Sequence, residues 1–446
     1  MRKRFSIFIG VILIGGLAIM LGCGKRSVES EYKYYRVVDT SPIYKIIPKY
    51  PLEIDNIKKG AFWQLRYDQR GRIKTVAYIS QGHLSYNLLE NLARINIEYG
   101  RGWEKRTTID EFGEPMNKDE GIYSTVYRFD KKRRLIAKEY HDDKDKLVED
   151  STGVAKYLYS YDPEDPNLLT ALRQNSQGET ITDNHDIYKS QIELNNNGYI
   201  LEMKYFDKND SCINSSQGVA IARGRYDRQN NIIQKEYFDK NENRVICGKK
   251  GFAAIKCTYD KNGYLSALCF LDTNLELCNS NSSGYAICKN HYAENGLLLG
   301  VDLIKADSSS SKIFENNSDG ILKQISFKDS AGNYIIDDEE GYAILSTTVD
   351  EKSGQITERK FLDEHEQLIE PEKHGYAIYK EVYNENGDII EEDFLGADLQ
   401  PRFNKERGFA RCVYEYDTRG DISGIKDYDA EGNLITDDDT ASGTGN

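Results

Sequence analysis

The side chains with most chemistry to offer in this 446-residue sequence are its six histidines, eight cysteines and 73 carboxylates, and their spacing decides what they can do. His83, His141, His185, His291, His365 and His374 fall in no HExxH pair and in no common phase, so they read as solvated turn residues. No GxSxG elbow, phosphate loop or dinucleotide fingerprint occurs. Asp207, Lys208, Asn209 and Asp210, like the run from Asp239 to Asn243, open as a calcium loop does. Gly218 and Lys250 stand where the closing Glu would be, and Asp and Asn also belong in hairpin turns. Cys212, Cys247, Cys257, Cys269, Cys278, Cys288 and Cys412 form no CxxC or zinc spacing and read as small buried apolar residues; their odd number leaves at least one thiol unpaired within the chain. The expectation is no catalytic residue, no metal and no cofactor. The aromatic residues, 32 Tyr and 15 Phe, remain as the hint of a binding surface, for glycan stacking or protein contact, or as the packing of a core.

The eighth cysteine has an address. Arg2, Lys3 and Arg4 precede seventeen apolar residues (5–21), and Gly22, Cys23 and Gly24 follow. A basic start, an apolar run and a small residue before the cut describe an export signal; a run of this length also sits near the lower limit for a retained anchor. The stretch "IMLGC" (19–23) resembles the lipobox of bacterial lipoproteins. That resemblance implies cleavage before Cys23, lipidation of its thiol and attachment to the membrane through acyl chains. Gly24 in place of Asp at the next position implies the outer membrane rather than the inner, where the organism has one. Losing residues 1–22 leaves 56 basic against 73 acidic residues, a net charge of −17, which argues against nucleic acid as a partner and against electrostatic binding to anionic headgroups.

The elements that would position any binding residue are visible as a repeat. Gly121, Gly153, Asp186, Gly218, Gly251, Gly284, Gly341, Gly375 and Gly408 recur at 32 to 34 residues, save one interval of 57 that holds an extra half-unit around 314–333. Eight residues after each comes an aromatic or apolar position, as in Tyr226, Tyr259, Tyr383 and Tyr416, and then a turn ending in Gly198, Gly263, Gly296, Gly387 or Gly420. A second aromatic follows, as in Tyr237, Phe270, Phe361 and Phe394. The unit is therefore an antiparallel hairpin, strand A, tight turn, strand B, with the corner glycine at positive φ. One hairpin is barely stable alone, so neighbours must cover one another. The expected fold is all-β: tandem hairpins of about 33 residues in an elongated sheet or solenoid-like array. A tyrosine in each unit would pack on its neighbour's, and Ala220, Ala253, Ala286 and Ala377 would let layers approach.

The phrases "YDQRGRI" (67–73), "YDKNGYL" (259–265) and "YDTRGDI" (416–422) resemble the YD repeat of the RHS family, over roughly 60–436. That family's repeats form long β-sheets coiling into shells around a toxin; the resemblance implies the hairpin here, while this array is too short to enclose a payload. The chain divides into a signal peptide (1–22), a tether or N-terminal cap (23–59), an array (irregular over 60–120, regular over 121–436) and a disordered tail (437–446). Within the irregular part, 85–100 reads as a short helix carrying Leu88, Leu89 and Leu92 on one face.

The functional expectation is a non-enzymatic, envelope-anchored scaffold that binds a protein or a glycan along an extended β surface. The alternatives are a hydrolase with its site in 61–120 or near 308–311, and a purely structural spacer.

Overall fold

The computed structural model describes residues 31–40, 44–53, 60–87, 92–110, 112–116, 121–350 and 353–435. Among them are 27 strands in one antiparallel sheet and no helix. The first nine are β1 (Tyr32–Thr40), β2 (Ile46–Leu52), β3 (Ala61–Tyr67), β4 (Ile73–Ser80), β5 (His83–Leu84), β6 (Arg94–Gly100), β7 (Trp103–Ile109), β8 (Ser124–Phe129) and β9 (Leu135–His141). The order across the sheet is β2, β1, β3, β4, β6, β7, β8, β9 and then each later strand in chain sequence, while β5 only folds back on the end of β4.

Each regular unit is a strand A and strand B paired over six positions, as in Ala254–Tyr259 with Leu265–Leu271, with a bulge just before the phase-locked tyrosine. The corner glycines and hairpin-turn glycines have positive φ, and Asp186 takes the same conformation at its corner. Asp and Asn close the turns. One carboxylate oxygen of Asp260 accepts the amides of Asn262 and Tyr264, and Asp239 does the same for Asn241 and Asn243. This is the side-chain-capped turn that short polar residues form.

Pairing between units is sparser. Leu265–Leu271 meets the next strand A at only three positions, and Ile232–Phe238 likewise. The strands part toward the hairpin tips, leaving a strand B carbonyl without a ladder partner. The tyrosine eight residues past the corner fills that gap: Tyr226, Tyr259, Tyr383 and Tyr416 donate to the carbonyls of Ile200, Ile232, Ile356 and Ile389. In two units a residue six past the corner does this instead: Asn290 and Thr347 cap the equivalent carbonyls of Leu265 and Leu322.

The continuous aromatic seam differs from the expected ladder. It runs through corner aromatics and strand B aromatics alternately: Phe327, Tyr342, Phe361, Tyr376, Phe394 and Phe409 have successive centroids 4.8 to 5.7 Å apart. The phase-locked tyrosines meet turn residues instead, as Tyr226 meets Tyr199. The small residues behave as expected: Ala220, Ala253, Ala286 and Ala377 are fully buried.

The expected helix over 85–100 is absent from its described part. Asn87 and Leu92 form a bridge, and β6 alternates Ile95 and Ile97 into the core; Leu88 and Leu89 lie outside the described residues. Residues 32–52, which lack the repeat, supply β1 and β2 as sheet members.

These two strands clasp a coil. Asp39 accepts the Tyr199 hydroxyl, Lys49 donates to Asn230 and Asn231, Arg36 reaches Tyr264 and Glu294, and the Ala61 amide donates to Asn295. Gln81 reaches Asp319. The tips of consecutive later hairpins thus seat in turn along β2, β1, β3 and β4. Gly263 is fixed twice over: its φ is +86°, and a Cβ there would lie 2.1 Å from the Tyr50 ring.

Buried charge is paired. Glu139, 4% exposed, accepts from Arg128 and Lys156 and faces His141 at 3.4 Å. Burial would raise its carboxyl, but the hydrogen bonds from His141, Lys156 and Arg128 outweigh that and hold it at about 2. Hydrogen bonding to Glu139 raises His141.

Two outcomes follow. Gly263→Ala strains the turn and displaces Tyr50, costing about 1–3 kcal/mol. Hydrogen exchange should quicken in 46–52 and stay unchanged in 378–395. A carboxylate held low in the folded state stabilises above its ordinary value and loses that contribution as pH falls toward 2. Glu139→Gln should therefore flatten the acid limb of urea stability between about pH 4.5 and 2, by an amount of order 1–2 kcal/mol after solvent screening.

Candidate binding cleft

The clasp meets the hairpin tips at 198, 230–231, 263–264, 294–295 and 319, but not those of β3–β4, β6–β7 and β8–β9. Between them and residues 44–48 lies a cleft of about 1,040 Å³. It draws on the cap, the irregular part of the array and the first regular unit. Six cationic side chains and two carboxylates line it, in a chain of net charge −14.

Each tip contributes in its own way. At β6–β7, Gly100 pairs with Trp103 around a two-residue turn of Arg101 and Gly102. The indole lies flat on Gly100: a Cβ there would come 2.0–2.4 Å from three ring atoms. The Gly102 carbonyl accepts the Phe129 amide at 2.9 Å, pinning this tip to the next. Phe129 meets the Tyr44 ring edge-on at 5.0 Å, so the far wall is aromatic as well.

Beneath them Arg106 is buried. It donates to Glu104 at 2.6 Å and to the Tyr44 carbonyl, and its guanidinium lies 4.6 Å from the Tyr127 ring. Arg72 pairs with Asp68 and covers the Tyr99 ring at 4.3 Å. Tyr99 donates to the Ile73 carbonyl, and burial, then Glu104, raises its phenol. Asp130 accepts the amides of Lys132 and Arg134 and the Arg134 side chain; these, the Arg134 amide above all, hold its carboxyl below the usual range. The carboxylates are thus committed to internal partners. Arg101, Lys131 and Arg133 are exposed and form no ion pair among the described residues.

The residues singled out from sequence are scattered. Cys23, the one residue expected to be modified, lies outside the described residues. The seven other cysteines are free, with Cys247, Cys257 and Cys412 buried; burial pushes Cys257 up to about 11. Asp207 and Asp239 are turn caps. Ser308 sits in a turn at positive φ, and Ser310 and Ser311 begin a strand. Two histidines depart from the solvated-turn reading: His141 is buried on Glu139, and His374 stacks on Phe361 at 4.5 Å. No group of three His, Cys, Asp or Glu among the described residues could hold a metal. Sequence reasoning passed over Arg101, Trp103, Lys131 and Arg133; their one signal was position at a hairpin tip, in the irregular segment for the first two and in the first regular unit for the others.

No family model and no curated protein matches the chain. Among solved structures, TcdB2-TccC3-TEV is similar with a TM-score of 0.31 and 12% identity, over 91% of this chain and 21% of that one. This chain thus spans about a fifth of that protein's length. A porin-like protein from Bacteroides uniformis gives 0.20 at 13% identity, over 60% of this chain and 88% of the other. The periplasmic gluconolactonase PpgL of Pseudomonas aeruginosa gives 0.11 at 13%, over 91% and 95%. Likenesses at these scores carry no argument about function.

Gly100→Ala should lift the indole off the strand. The expected result is a red-shifted Trp103 emission against a constant contribution from buried Trp63, with stability changed by no more than about 1–3 kcal/mol.

Proposed function

We propose that the chain is a lipid-anchored, non-enzymatic scaffold of the bacterial cell envelope that presents an extended β surface to a glycan or a protein. Supporting the scaffold half is the single continuous sheet, whose glycines are largely spent on turns. Supporting the binding half is the cleft, where exposed cations stand open beside aromatic faces. The anchor rests on "IMLGC" and the apolar run before it. Cys23 begins the exported chain in this reading, nine residues before β1. The clasp of the coil then lies next to the membrane attachment.

The test is radiolabelled acyl incorporation together with fractionation. Wild type should take up label and partition with membranes, whereas Cys23→Ser should take up none and lose most of its membrane association, since stable anchoring needs more than one acyl chain on that thiol. Retention of Cys23→Ser in the membrane with its leader uncut would replace lipidation by a signal anchor. Crosslinking in intact cells with mass-spectrometric identification should return a stoichiometric envelope partner.

A further inference from the structure

We propose that the cleft between residues 44–48 and the first hairpin tips binds an acidic glycan, a linear chain bearing a carboxylate on alternate sugar rings. The proposal rests on the glycan half of the reading above and makes it specific to one site and one ligand chemistry.

Three observations converge. The first is charge. The cleft's carboxylates are held by Arg106, Arg134 and backbone amides, whereas Arg101, Lys131 and Arg133 have no ion-pair partner among the described residues. An anion placed there meets cations that need not abandon a protein partner, and guanidinium–carboxylate pairs are the stronger class of hydrogen bond.

The second is shape. The walls are aromatic: Trp103 laid flat on Gly100, and Tyr44 against Phe129. Flat rings that are partly exposed suit the C–H faces of sugar rings, which need a broad apolar surface beside polar groups. At about 1,040 Å³ the cleft holds several rings rather than one.

The third is spacing. Arg101 stands on the β6–β7 tip, and Lys131 and Arg133 on the β8–β9 tip. Consecutive hairpins lie two strand spacings apart, roughly 10 Å. A glycan with its carboxylate on every second ring repeats on a similar length. An acidic peptide has a different demand: its extended backbone looks for an open strand edge. The edge facing this cleft is β2, interrupted at Pro48 and Pro51.

The experiment uses the full chain in detergent, titrated with a hyaluronan hexamer and followed by Trp103 emission and by calorimetry. Saturable binding is expected, weakened by salt. The triple variant Arg101→Ser, Lys131→Ser, Arg133→Asn should bind about tenfold or more weakly with unchanged thermal unfolding, Asn being chosen to tolerate the positive φ at 133. Trp103→Ala, read by calorimetry, should weaken binding similarly. Uncharged chitohexaose should bind at least about tenfold less tightly than hyaluronan. No saturable heat, equal binding of chitohexaose, equal or tighter binding of hexaglutamate, or an unaffected triple variant would each overturn the proposal. Because this titration needs neither acylation nor a cell, its failure is separate from failure of the envelope reading.

Discussion

A strand B carbonyl that the following strand A cannot reach is the constraint on which the fold turns. Within a hairpin six pairs satisfy the backbone; between hairpins commonly three do. An unpaired carbonyl in a half-buried sheet costs about 1–3 kcal/mol. Over a whole array that cost would be comparable to the total stability of an ordinary domain. At many junctions the chain meets it with one side chain, a tyrosine eight residues past the corner or an asparagine or threonine six past it. Because the cap fills the gap, neighbouring hairpins can part at their tips and remain in register at their corners. A sheet pinned along one margin and spread along the other need not stay flat, and this one returns far enough for its later tips to meet its first strands.

That return gives the N-terminal strands their role. β2 pairs with β1, and β1 with β3, through ordinary ladders, but several of their side chains are spent on distant partners: Asp39 and Lys49 on Tyr199, Asn230 and Asn231, and Arg36 on the tip near Glu294. A quasi-one-dimensional array propagates order only between neighbours. The clasp adds contacts across more than 150 residues of sequence, so loss of order at either end is felt at the other. Proline at 48 and 51 suits this arrangement, since it leaves the outer edge of β2 poor in donors while the inner edge pairs with β1.

The hairpins were legible because three physical demands coincide in each unit. Positive φ calls for glycine, turn caps call for Asp or Asn, and strands call for apolar alternation, all in one phase. The aromatic seam was misassigned for an instructive reason. Phase alone could not separate a ring that packs from a ring whose hydroxyl caps a carbonyl, and the most regular tyrosine is the capping one. The segment 85–100 misled because leucines at helical spacing precede β6, whose Ile95 and Ile97 alternate as strand residues do. The cleft was invisible from sequence. Arg101, Lys131 and Arg133 are unremarkable turn residues until the coil brings residues 44–48 opposite them.

Why the open site should lie at the first tips follows from the same geometry. β2 faces two sets of tips. Toward the later hairpins it is packed to contact, with Lys45 against Gly198 and Tyr50 against Gly263. Toward the earlier ones only Tyr44 reaches across, to Phe129 and Tyr127. The side given fewer large residues remains a trough. Charge then distinguishes this trough from the rest of the surface. The chain is strongly acidic, yet much of its carboxylate is consumed by turn amides, each of which already satisfies an oxygen. Arg101, Lys131 and Arg133 at the trough have no ion-pair partner among the described residues, unlike Arg72 and Arg106. The unpaired positive charge of Arg101, Lys131 and Arg133 at an open trough of an acidic coil is a local field that a soluble anion would meet.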